Sequence, residues 1–184
     1  MPVSATIGDV AAEEGDEILR RVARVAACGV DYVKVGVDAM RPGAAATLLQ
    51  RLAGCGTPVV PVLIADRGID VELVRLALRE RVFPALMIDT VDKKGGSLLQ
   101  RIAPGALADF VGAVRSHGCL AGLAGALRAD DVPALLALAP DFSGFRSAVC
   151  AGDRAGALQP ALVSALLDRL APRASSRRLA GAPA

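Results

Sequence analysis

Lysine is scarce in this sequence: arginine supplies most of the positive charge, and the only lysines are Lys34, Lys93 and Lys94. A guanidinium stays charged at any physiological pH, so a chain that uses arginine for plain charge and keeps a few lysines points to a primary amine that can lose its proton. Lys34 sits inside the apolar run DYVKVG. Mid-strand, its amine would face the interior or the mouth of a sheet, where loss of water favours the neutral nucleophile that Schiff-base chemistry needs. The alternative is a buried structural ion pair with Asp9 or Asp89. Asp89 stands four residues before Lys93, a spacing that lets the two share a proton, although D-K-K-G-G also reads as a solvated loop. His117 is the single histidine, and the cysteines Cys28, Cys55, Cys119 and Cys150 have no C-x-x-C spacing. No zinc site is expected, and the cysteines read as small apolar residues in a reducing compartment.

These side chains need elements to position them. Six short apolar runs, at 3–7, 32–37, 59–64, 85–88, 119–123 and 142–145, alternate with helical periodicity at 16–28, 42–53, 70–81, 104–117, 130–138 and 158–170. Gly29, Gly54 and Gly118 follow helical segments where left-handed caps are expected, and Asp16, Asp70 and Asp130 stand at helix starts. Apolar strands joined by helical crossovers form a parallel sheet covered on both faces. No glycine-rich dinucleotide fingerprint is present, so a TIM-type (β/α) barrel is preferred to an open doubly wound sheet. A full barrel of eight units takes about 250 residues; this 184-residue chain accommodates six, so the expected fold is α/β, an incomplete barrel of six βα units over 1–170. The Ala-, Pro-, Ser- and Arg-rich end, 171–184, is expected to be a disordered tail.

Composition narrows the function classes. Apolar residues make up 53% and aromatics 3%, so Ala, Val, Leu and Ile must build the core, while the net charge of +2 with scattered arginines gives no nucleic-acid footprint. No apolar stretch is long enough to cross a membrane and no leader is evident, so a cytoplasmic protein is expected. Functional groups of a parallel barrel lie at the C-terminal ends of its strands. Those ends carry Asp9, Lys34, Asp66, Asp89 and, on the last two, the glycine-rich segments with Gly125, Arg146, Gly152, Asp153 and Arg154, where a phosphate could meet backbone N–H groups. His117 ends a helix on the opposite side, which fits a capping or surface role.

The stretches VSATIGDV (3–10), GVDYVKVGV (29–37), MIDTVDKKGGSLL (87–99), LAGALRADDVPAL (123–135) and FRSAVCAGDRAG (145–156) together resemble the (5-formylfuran-3-yl)methyl phosphate synthases of methanofuran biosynthesis. The resemblance implies a TIM-barrel lyase that condenses two molecules of glyceraldehyde 3-phosphate into a phosphorylated furan aldehyde through a lysine Schiff base, with no metal and no organic cofactor. By motif, Lys34 resembles the strand lysine, Asp89 and Lys93 the acid–base pair, and Gly125, Arg146, Gly152, Asp153 and Arg154 the phosphate-binding end; Asp9 is grouped with the substrate-binding residues. The resemblance also implies two further strand–helix units ahead of V-S-A-T, the second with the lysine assigned there as Schiff-base former, and nothing here corresponds to it. Three readings follow: a synthase whose natural chain is longer, a non-catalytic paralogue that binds a sugar phosphate or a partner, and another aldolase in which Lys34 forms the Schiff base. Open sheet edges invite association, so a homo-oligomer is expected.

Overall fold

In the computed structural model the described residues are 2–38, 40–93, 95–151 and 156–171. Six strands, β1 (Ser4–Thr6), β2 (Tyr32–Asp38), β3 (Val59–Ile64), β4 (Ala85–Asp89), β5 (Leu120–Leu123) and β6 (Phe142–Ser143), pair in sequence order, each parallel to the next. The sheet curls into a partial (β/α) barrel, as the strand–helix alternation predicts. Between the strands run α1 (Gly15–Ala26), α2 (Pro42–Ala53), α3 (Val71–Arg79), α4 (Leu98–Arg101), α5 (Pro104–Ser116), α6 (Val132–Leu138) and α7 (Pro160–Leu170). The expected tail falls almost wholly at 172–184, outside the described residues.

The main core lies between the sheet and its helices. Alternation along β2 buries Val33, Val35 and Val37 on this side, where they meet Leu48, Leu49 and Leu52 of α2 and Ile18 and Val22 of α1. Each such leucine contributes up to about 1.5–3 kcal/mol by leaving water, an upper value because unfolded chains already hide some apolar surface. The inner face holds a smaller cluster of Val60, Ala85, Met87 and Ala124, bordered by Tyr32, Val62 and Phe142. Few large side chains are needed there, which accounts for the poverty in aromatics.

Local signals mostly act as expected. Asp70 caps α3 by accepting from the Leu73 N–H at 3.0 Å, while Asp16 sits in the first turn of α1, whose N-terminal charge it offsets. Gly29 and Gly118 have positive φ, but Gly54 stays right-handed and the left-handed residue there is Gly56. The sixth helix begins at Val132 rather than 130, because Ala129–Asp131 winds first as a 3-10 turn. α4 has no counterpart in the sequence reading: four residues are too few to show a period, and its start is fixed by the Ser97–Gln100 capping box.

Candidate active site

Gly8 leaves β1 with φ +82°, a left-handed turn that brings Asp9 over the C-terminal ends of the strands. There a cleft of about 890 Å³ opens, bordered by Asp9, Lys34, Asp38, Arg41, Asp89 and Lys93 among others. Lys34 projects from the inner face of β2, in register with Thr6 and Val60. Two residues on, Gly36 has nothing within 4 Å of where a Cβ would lie. The lysine chain therefore has open space along the strand toward the mouth. Among the described residues the side-chain amine of half-buried Lys34 has no hydrogen-bond or ion-pair partner, so the structural pairing with Asp9 or Asp89 is not made.

Asp89 ends β4 beside Ile64 of β3, and its carbonyl accepts from the Ala65 N–H at 2.9 Å, so the carboxylate stands on a fixed piece of sheet. The Lys93 ammonium lies 2.5 Å from Asp89 Oδ1 and also donates to the Thr90 carbonyl. Both side chains are partly buried, with 18% of Lys93 and 31% of Asp89 exposed, which strengthens the pair relative to one in open water. Asp89 Oδ1 accepts the Thr90 N–H at 2.7 Å as well. Thr90 Oγ1 is buried with no partner among the described residues, a condition that costs about 1–3 kcal/mol.

The cleft also contains residues the sequence reading did not select. Asp38 closes β2 and accepts the Met40 N–H at 2.9 Å, and Arg41 and Glu13 form an ion pair across the mouth. The Glu13 carboxyl is held below the usual carboxylate range, first by its own backbone N–H and then by Arg41. One signal was available: Asp38, Asp66 and Asp89 stand at or just past the ends of three successive strands.

Gly125 and Arg146 do not border this cleft. Gly125, with φ +119°, packs against the Thr90 side chain so closely that a Cβ would overlap it, and its carbonyl accepts the Leu98 N–H at 2.8 Å. Arg146 is exposed just before the 3-10 turn Ser147–Val149. Gly152, Asp153 and Arg154 lie outside the described residues, as does Lys94. His117 is exposed at the end of α5, with Nδ1 2.9 Å from the Ala113 carbonyl oxygen. Among the described residues no three His, Cys, Asp or Glu side chains are grouped as metal ligands, and none of the helices they form is long and apolar enough to cross a membrane.

The cleft at the strand ends thus brings together Lys34, Lys93 and Asp89, and similarity to known proteins extends over the chain. The family model described as 4-HFC-P synthase covers residues 1–167. The chain belongs to the 4-HFC-P synthase family. It is similar to the (5-formylfuran-3-yl)methyl phosphate synthase of Methanopyrus kandleri, 35% identical over 92% of this chain and 76% of that relative. The protein of the same name from Methanosarcina mazei is 30% identical over 90% of this chain and 75% of the relative. In three dimensions it resembles phosphoribosyl anthranilate isomerase from Thermus thermophilus, with a TM-score of 0.54 at 18% identity, covering 91% of this chain and 70% of that one. That likeness supports the barrel-type fold of this family member and nothing finer.

Proposed function

We propose that this chain is a (5-formylfuran-3-yl)methyl phosphate synthase acting in the biosynthesis of methanofuran-type cofactors, a carbon–oxygen lyase that joins two molecules of glyceraldehyde 3-phosphate. The reaction balances as two triose phosphates giving one furan aldehyde monophosphate, one orthophosphate and two waters. The observation that carries this reading is the convergence of an unpartnered amine, Lys34, with an amine–carboxylate pair, Lys93 and Asp89, in one cleft.

In this reading Lys34, the unpartnered amine of the cleft, takes the Schiff-base role for which the family resemblance has no other counterpart in this sequence: it attacks the carbonyl of one triose phosphate and forms an imine, with release of water, and the protonated imine acidifies the neighbouring C–H. Asp89 and Lys93, already within proton-transfer distance of each other, take up that proton and return one to the oxygens that leave as phosphate and water. Attack of the resulting carbon nucleophile on the second aldehyde makes the new C–C bond. Dehydration of the aldol adduct and closure of a hydroxyl onto the remaining carbonyl, with loss of the second water, form the furan ring, and hydrolysis of the imine frees Lys34. Arg41 and Lys93 place positive charge near the mouth for the substrate phosphates.

The test is borohydride reduction in the presence of glyceraldehyde 3-phosphate, followed by peptide mass mapping, alongside assays for furan aldehyde absorbance and phosphate release. Product formation with a reduced adduct on Lys34, both lost in Lys34→Arg, is the expected result. Turnover that survives Lys34→Arg would remove Lys34 from the nucleophile's role, and phosphate-ester binding with neither adduct nor product would favour the binding paralogue.

A further inference from the structure

Lys93 belongs to no strand or helix: β4 stops at Asp89 and α4 starts at Leu98. To reach back to Asp89 and the Thr90 carbonyl it needs the backbone to turn immediately after the strand, and that turn is made against a residue of another unit. Asp66, two residues past β3, accepts the Val91 N–H on Oδ2 at 2.7 Å and the Asp92 N–H on Oδ1 at 2.9 Å. Arg101, the last residue of α4, closes the arrangement from the other side. Its guanidinium donates to the Asp92 carbonyl at 3.0 Å, to the Asp92 carboxylate at 3.3 Å and to the Asp66 carbonyl at 3.2 Å. It also lies 3.4 Å from Asp66 Oδ1. The Asp66 and Arg101 side chains are 22% and 20% exposed, so this clamp is largely shielded from water.

The D-K-K-G-G segment is shaped to fit it. A Cβ at Gly95 would overlap the tips of the Asp92 carboxylate and the Arg101 guanidinium, so a larger residue there would have to displace these side chains. The far end of the segment is tied down separately, by Ser97 Oγ to Asp131 Oδ1 at 3.1 Å and by the Leu98 N–H to the Gly125 carbonyl. What Asp66 and Arg101 fix is therefore the stretch that carries Lys93. We infer that Asp66 and Arg101 are positioning residues for Lys93, a cross-unit clamp that keeps its ammonium on Asp89. The inference rests on the reading above for the importance of Lys93, but the clamp itself has a separate readout.

That readout is amine acylation of the intact folded chain with an isotopically coded anhydride, with the Lys93-to-Lys34 labelling ratio read from fragment-resolved peptides. In Asp66→Ala, Asp66→Asn and Arg101→Ala the ratio rises by roughly five- to tenfold, as expected when charged tethers are removed from a two-position equilibrium. Circular dichroism confirms the fold of each variant, and Asp66→Asn, nearly identical in shape, decides the matter if Asp66→Ala does not fold. An unchanged ratio in a folded variant overturns the inference. A second arm measures furan product: Asp66→Ala lowers kcat about tenfold with KM little changed, yet lowers it less than about twofold further in a Lys93→Ala background. Full additivity overturns the inference too, since a merely structural role predicts it. If the unsubstituted chain makes no furan product, the proposed function fails, and the labelling ratio alone decides the clamp.

Discussion

The two ends of the sheet differ in what they present to the barrel interior. From β1 to β4 the inner face and the strand ends carry Lys34, Asp38 and Asp89, with Asp9, Arg41 and Lys93 on the loops beyond, and glycine at position 36 leaves room among them. From β5 to β6 the strands shorten to four and two residues and the inner face is apolar, with the Phe142 ring lying directly over Gly122. The first end keeps a polar, open cleft toward the mouth, above apolar Val60, Ala85 and Met87, and the other fills its interior with the Phe142 ring. In the proposed reading chemistry gathers at the first end and mechanical closure at the second, so a substitution at one end should report on turnover and at the other on stability.

The strongest test of that division is the Asp89–Lys93 pair. Either Lys93→Ala or Asp89→Asn should lower turnover by about 10²- to 10⁴-fold, the usual contribution of a positioned proton-transfer group, with little change in the denaturant midpoint. The double variant should be hardly worse than either single one, because the two groups act as a unit. Losses that multiply, or a large loss of stability in either single variant, would mean the pair is structural and the division is wrong.

Gly122 probes the other end. A Cβ there would stand far inside contact distance of three Phe142 ring atoms, and a ring has no flexible tip to move aside. Gly122→Ala should therefore cost about 1–3 kcal/mol in urea unfolding, the range for overpacked sites. Its kcat, corrected for folded fraction, should fall far less than in the Asp89 and Lys93 variants, because Gly122 meets the cleft lining through apolar Met87, its β4 register partner, rather than through an ionisable group. A variant of normal stability with poor turnover would connect β5 to the chemistry.

How far the sequence disclosed all this depends on the range of the forces involved. Strand order and helix positions follow from periodicity, which is local, and β2 and β3 are long enough for their pattern to be unmistakable. β6 was expected at 142–145 and is only Phe142–Ser143, since an apolar run marks burial without fixing where ladder hydrogen bonds stop. Asp89 and Lys93 were visible because four residues separate them. Asp66 and Arg101 are 35 residues apart and Glu13 and Arg41 are 28 apart; they meet only once helices cross over and the sheet curls. The start of the loop that reads as flexible, at Asp92, is held by such distant partners. Local pattern announced the scaffold and one pair, and tertiary pairing supplied the rest of the cleft.

The smallest effect belongs to Asp141, which stitches the packed end together. Its Oδ1 accepts from Arg115 Nη2 of α5 at 2.9 Å, and its Oδ2 accepts from Arg115 Nε at 3.2 Å and from the Ala121 N–H of β5 at 2.8 Å. The Arg115 hydrogen bonds first, and the Ala121 amide second, hold this carboxyl below the ordinary aspartate value of 3.8. A depressed carboxylate stabilises the fold fully above its unfolded value, and that contribution disappears as pH falls through the lower, folded one. Arg115 is 44% exposed, so solvent screening limits the gain and Asp141→Asn should cost no more than about 1 kcal/mol near neutral pH. The gap between variant and parent should then close below about pH 4. Urea titrations at stepped pH check this: a gap that persists unchanged in strong acid would mean that the side chain's shape, not its charge, joins α5 to β5, while cleft turnover above pH 6 should be indifferent to the substitution either way.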